Sequence, residues 1–391
     1  MKIRIGVLAL LLHLGCSPVQ APPTDDLLYV WAFDTERKAS DFLAVLEPDG
    51  TLVDTVPVGL AGGAHHTEHR MPDGNTFFAN AFSAGTTFRF DVTDPRSPRV
   101  AGSFGGRGAY TFPHSFERLD SGNVLATFQN RGDENLEPGG LVELDPEGNY
   151  IRGGDAADPA DPELRPYSLA ILPEIDRVVT STADMRGTLL GSSVQIWRLS
   201  DLQLLKTLVL PAGERGDENV WPAEPRVLSD GKTVVVNTFS CGLYAVSAID
   251  SDAPEARLVH AFPYEPPHRC ALSALIGDVW VQAVPTSEAL VSLSVRDPQE
   301  PEVLDTLKLG DDYRPHWIAA DRAGRRIVAT GRGEMRNRVV VVNIDRETGA
   351  LSHDPIFREE GSSAPGVSFD RASWPHGPTG AATPHGAIFY R

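Results

Sequence analysis

Short runs of alternating apolar and polar residues recur along almost the whole chain, and they come in pairs: "NTFFANAF" with "TTFRFDV", "NVLATFQ" with "GLVELDP", "RVVTST" with "SVQIWRL". The series continues as "TVVVNTF" with "LYAVSAI", "DVWVQAV" with "ALVSLSV", and "RIVATG" with "RVVVVNI". A period of two with β-branched and aromatic enrichment, broken by Gly- and Asp-bearing turns, predicts antiparallel strands. A further strand precedes each pair: "HHTEHRM", "PHSFERL", "RPYSLAIL", "WPAEPRVL", "HRCALSAL" and "RPHWIAA". With His66, His114, Tyr167, Glu224, His268 and His316 as equivalent starts, the steps are 48, 53, 57, 44 and 48 residues. Multi-stranded units repeating at about 40–55 residues are the mark of a β-propeller.

Six units are complete, and the two ends supply a seventh. "DLLYVWAF" and "DFLAVLEP" precede the first unit, and "PHGAIFY" closes the chain. The expected fold is all-β: a single seven-bladed β-propeller over residues 27–391, its last blade closed by the N- and C-terminal strands. Such closure removes exposed sheet edges. The stretch from Ser352 to Pro384 has no clear strand pattern, so six or eight blades also fit. Composition agrees: 36 Gly and 31 Pro among 391 residues favour turns, and a hydrophobic fraction of 41% suffices for a sizeable core.

A net charge of −18 excludes nucleic acid as a partner, because phosphate binding needs clustered Lys and Arg. The acidic surface instead points to a small neutral or cationic substrate. "MKIRIGVLALLLHLGC" opens with two basic residues and a short apolar run, which predicts a signal peptide over residues 1–16. Its Gly-Cys end resembles a lipoprotein processing site, with Cys16 lipidated and residues 17–26 as a tether. Secretion with cleavage elsewhere is the alternative. The expected location is the bacterial cell envelope, facing the periplasm, with membrane contact only through the lipid. Cys241 and Cys270 then remain, either as a disulfide suited to an oxidising compartment or as two buried thiols.

The first strand of a propeller blade lines the central channel. Residues opening those strands would bring His66, His114, Tyr167, Glu224, His268, His316 and His385 to one axis. Several neutral imidazoles on rigid strands suit Cu, Zn, Fe or Ni. His65 would face away from His66 by strand alternation unless the backbone bulges. Glu68 and Glu224 are the candidate catalytic carboxylates, as base or ligand-orienting groups. His69, His260 and His353 lie off the pattern and are expected in surface or structural roles, and His376 is intermediate. Trp317 is expected to turn away from the axis into the packing between blades. The "RGD" strings and the acidic "DAADPADPE" read as loops, and no G-x-S-x-G, P-loop or H-E-x-x-H occurs.

"HHTEHRMPDGNTFFANAFSAGTTFRFDVTDPRSPRV", "PHSFERLDSGNVLATFQNRGDENLEPGGLVELDPEG", "RPYSLAILPEIDRVVTSTADM", "WPAEPRVL" and the closing "GPTGAATPHGAIFYR" resemble segments of the selenium-binding protein / methanethiol oxidase family. The likeness is best over residues 60–240. It implies a seven-bladed propeller and a copper site of axial histidines, carried here by His65, His66, His114 and His385, with Glu224 and His316 beside them. Where family members often carry a Cys pair after the His-His, this chain reads "HHTEHRMPDGN", which excludes selenium attachment at that position. The expected function is that of a metal-dependent envelope oxidoreductase, with copper as cofactor, acting on a small sulfur compound such as a thiol. The alternative is a non-catalytic propeller lipoprotein that binds a protein partner or a metal ion.

Overall fold

The computed structural model describes residues 27–132, 134, 136–266, 269–332 and 337–390; Cys16, the tether and His268 lie outside them. Seven antiparallel sheets of four or five strands stand around one axis. Blades are numbered here from the chain's first innermost strand. The innermost strands are Ala64–Thr67, Tyr110–Arg118, Pro166–Leu172, Pro222–Val227, Ser273–Ile276, Arg314–Ala320 and Ala382–Phe389. The propeller expected from the repeat is the fold. Apart from three short 3-10 turns, every regular element among the described residues is a strand.

Blade 7 is built from both ends of the chain. Its innermost strand Ala382–Phe389 pairs with Leu28–Asp34, in a register that sets Leu28 opposite Phe389 and Tyr29 opposite Ile388. The region 352–384 adds Val367–Ser368 to the third strand of blade 6. It also inserts Phe357, Val367, Phe369 and Trp374 into the core shared with blade 7. Apolar faces meet between neighbouring blades, giving several buried clusters around the ring rather than one centre. That arrangement leaves the axis to polar side chains.

Six innermost strands carry a register shift at the same level. In blades 1–4 and 7, two consecutive residues face one residue of the second strand: His65 and His66 face Asn80, His114 and Ser115 face Thr127, Tyr167 and Ser168 face Ser181. Ala223 and Glu224 face Asn237, and His385 and Gly386 face Trp31. In blade 6 the extra residue is His316, beside Trp317 opposite Thr330. These are β-bulges, which re-aim side chains that strict alternation would send to opposite faces. Pro113, Pro166, Pro222, Pro315 and Pro384 stand just before five of them, where the missing N–H breaks no ladder bond.

The facing polar residues tie the ring together. Asn80 accepts the His66 N–H at 2.7 Å and donates to the Pro113 and His114 carbonyls of blade 2 at 3.0 and 2.9 Å. Thr127 accepts from Ser115 N–H and donates to the Tyr167 carbonyl of blade 3. Ser181 and Asn237 repeat the pattern toward Ala223 and Ala271, and Thr330 donates to the His385 carbonyl. The bulges of blades 2, 3 and 4 are therefore held both by their own blade and by the preceding one.

Candidate metal centre

The bulges bring His65 and His66 onto the same side, with rings stacked at 4.1 Å and only 6° between planes. His114 packs beside both, at 5.1 Å from His65 and 4.4 Å from His66. One ligand nitrogen from each of the three lies within 4.8 Å of the others, and all three residues are buried. His385 extends the cluster at 4.3 Å from His65, and His316 follows at 4.8 Å from His385. Five of the six predicted histidines thus converge on the axis; the sixth, His268, lies outside the described residues, and the innermost strand of its blade begins only at Ser273.

The true ring of equivalent positions is His65, His114, Tyr167, Ala223, His316 and His385, one residue earlier in blades 1 and 4 than the repeat alignment assumed. His66 and Glu224 occupy the second bulge position. Trp317 does so too, and its expected place between blades is corrected. Its ring lies 4.8 Å from His66 and stacks on His69 at 4.4 Å and 3°, with Nε1 donating to the Ala387 carbonyl. His69, expected in a surface or structural role, lines the wide cavity and stacks on Trp317. Sequence held two signals for this arrangement: the Pro before most of the bulges, and an Asn, Thr or Ser within the buried stretch of the second strands.

Protons at His114 can be assigned. Its Nδ1 lies 2.7 Å from the Tyr167 carbonyl, which can only accept, so Nδ1 carries the hydrogen. Nε2 is then a bare lone pair, buried and without a partner among the described residues. That is how a metal-binding imidazole is oriented by an outer hydrogen bond. Burial drives the His66 imidazole far below its usual range, with His65 and His114 adding to the effect, and it pushes His114 down to about 4. Both are neutral at pH 7, the form that binds metals. The Tyr167 hydroxyl stands 3.3 Å from His66 Nε2.

Neither carboxylate joins the imidazoles directly. Burial tends to raise Glu224, but Arg226, His69 and Ser168 outweigh it and hold the group down to about 2, a permanent carboxylate. Its Oε2 accepts from Ser168 at 2.8 Å and pairs with Arg226 at 2.9 Å, while His69 Nε2 is 3.4 Å away. Glu68 pairs with Arg118 at 2.7 Å; burial still lifts it to about 7 against that charge. His376, the intermediate case, is bonded to Thr55 and Thr379 away from the axis, and His353 meets the Lys308 carbonyl.

Two cavities open onto this axis. A wide one of about 1110 Å³ is lined by Glu68, His69, Arg118 and Arg226. A narrower one of about 430 Å³ is lined by His65, Tyr167, His316, Trp221, Phe239 and Arg269. Cys270 borders the narrow cavity and is bridged to Cys241, with Cα atoms 5.0 Å apart.

The fold and site define a seven-bladed β-propeller whose axis is filled by imidazoles. Over 230 residues the chain is 25% identical to methanethiol oxidase of a Hyphomicrobium species, a match covering 51% of this chain and 52% of that protein, so the match spans about half the length of the curated relative. The X-ray structure of the hypothetical selenium-binding protein of Sulfolobus tokodaii has the same fold, with a TM-score of 0.74 and 16% identity over 95% of this chain and 94% of that one. The periplasmic gluconolactonase of Pseudomonas aeruginosa superposes with a TM-score of 0.62 and 12% identity over 93% and 98% of the two chains. No family model matches. The resemblance to the methanethiol oxidase / selenium-binding protein family is thus met again, in sequence by the first relative and in fold by the second.

Proposed function

We propose that this protein is a metal-dependent oxidoreductase in which His65, His66 and His114 hold a transition-metal ion, copper before zinc, and that it acts on a small sulfur compound, possessing a thiol or thiolate sulfur. The observation that carries the reading is the buried, unpartnered Nε2 of His114, oriented by the Tyr167 carbonyl within a cluster of neutral imidazoles. The curated relative, a methanethiol oxidase, supports the reaction class. Copper, when bound, supplies a one-electron redox change and a soft acceptor for sulfur. The rest belongs to the chain: three imidazoles to bind, Tyr167 and Ser115 to orient, apolar walls to exclude water, and the Tyr167 hydroxyl to hold a proton beside His66. His385 and His316 extend the same surface toward the narrow cavity. Glu224 fixes Arg226 and His69 beneath the cluster, and Glu68 faces the wide cavity with Arg118.

We further propose export and lipid attachment at Cys16, facing the periplasm; the Cys241–Cys270 bridge supports an oxidising compartment. Elemental analysis and Cu²⁺ or Zn²⁺ titration of the exported protein test the metal. One equivalent of tightly bound copper is expected, and His114→Ala should weaken it by 100-fold or more, on the order of losing one buried ligand or its orienting bond. A protein that binds neither metal, with His114→Ala indistinguishable from the parent, returns the chain to the non-catalytic propeller.

A further inference from the structure

We infer that the narrow cavity takes an organic anion, so that the sulfur compound proposed above carries a carboxylate or similar group bound at Arg269; the identity of the sulfur end rests on that metal-site reading. The chain's charge of −18 argues in general against anionic ligands. Local structure reverses that expectation. Arg269 stands at the cavity with its guanidinium 3.5 Å above the Trp221 ring, and among the described residues it makes no ion pair or hydrogen bond. Among the described residues, the one acidic side chain lining the cavity, Asp184, is already occupied: it accepts from the backbone N–H groups of Arg186, Thr188 and Leu189 and from the Thr188 hydroxyl. A guanidinium with no carboxylate partner among the described residues is suited to planar, two-point recognition of one from outside.

The platform under Arg269 is rigid. Trp221 is 4% exposed, its indole N–H donates to the Leu189 carbonyl, and its backbone N–H donates to Gly191 at 2.9 Å. The next residue, Cys270, is fixed by its bridge to Cys241 and by its N–H bond to the Phe239 carbonyl at 3.0 Å. Trp221 lies against Arg269, Phe239 meets Tyr167 edge-on at 5.4 Å, and His65, Tyr167 and His316 line the same cavity. A volume of about 430 Å³ falls in the range of sites for multi-carbon ligands, roughly 300–1,000 Å³. A one-carbon thiol would leave most of that space, and Arg269, to water.

Calorimetric titration with 3-mercaptopropionate, 3-mercapto-1-propanol and butyrate separates the parts. In metal-free protein, both anions are expected to bind at least about tenfold more tightly than the alcohol, a preference that weakens with salt. Arg269→Gln should abolish it and Arg269→Lys should restore part. In copper-loaded protein, 3-mercaptopropionate should gain further over butyrate. Equal affinity for anion and alcohol, or a preference that survives Arg269→Gln, overturns the inference. Copper binding without any charge preference overturns this inference alone. Charge preference without copper binding overturns the metal reading and leaves the anion site standing.

Discussion

At the scale of single residues, Trp317 links stability to the site. It is fully buried between His66 and His69 and donates its indole N–H to blade 7 through the Ala387 carbonyl at 2.9 Å. Trp317→Ala should cost roughly 3–5 kcal/mol in chemical denaturation. Because His66 loses its neighbour as well, metal affinity should fall in the same variant; a change in stability alone would place the ring outside the site. Asp41 makes a pH prediction of its own. It is wholly buried, accepts from the Gly62 N–H at 3.2 Å, and burial pushes it to about 7 despite Arg37. The folded protein then holds this proton up to higher pH than the unfolded chain. Its contribution to stability is full below the ordinary carboxylate range and is lost as pH rises toward 7. Melting temperature measured from pH 4 to 8 should therefore decline less in Asp41→Asn than in the parent.

At the scale of elements, the bulge matters more than the strand. Without it, alternation would separate His65 from His66, and the neighbouring imidazoles would have no common face. Asn80 sets the blade 1 bulge through three hydrogen bonds, one received and two given across to blade 2. Asn80→Ala leaves a buried N–H and two carbonyls without that partner, and should cost roughly 2–4 kcal/mol. Copper affinity should drop with it, since His65, His66 and His114 all sit on the two bulges that Asn80 connects. Unchanged metal binding in a folded Asn80→Ala protein would show that the cluster does not depend on this tie.

At the scale of the whole molecule, closure by blade 7 decides whether the ring exists. The strand Ala382–Phe389 contributes both His385 and the innermost edge of that blade. Deleting residues 382–391 uncovers the edge of Leu28–Asp34 and removes the neighbour of Ala64–Thr67. Light scattering should report aggregation, and any soluble remainder should melt well below the parent, because an unpaired apolar edge recruits other chains. A truncated monomer that melts like the full chain would remove closure from the account. The same ring geometry explains how a strongly acidic protein can present arginines at one cavity: several blades contribute to its lining, and Arg269 arrives there from between blades 4 and 5.

The sequence by itself determined the all-β class and pointed to closure by both ends, because strand period and repeat spacing are local properties written residue by residue. The structure settled the count at seven, since the patternless stretch 352–384 left six or eight open. The sequence also pointed to the histidines at the inner strands of blades 1, 2, 6 and 7, from "HH" at 65 to "PH" at 384, but not to the strand of blade 5, which begins at Ser273 and not at His268. Tertiary structure alone decided which of them share a face. The repeat alignment paired His66 with His114 and set Glu224 on the ring, whereas the bulges put His65 and Ala223 there. A bulge shifts facing by one residue, and its stabilising bonds come from Asn80, Thr127, Ser181 and Asn237 on adjoining strands and reach into the next blade. Such pairings join residues tens of positions apart, so alternation within one strand could not reveal them. The inward turn of Trp317, the stacking of His69 on it and the bridge between Cys241 and Cys270 have the same origin.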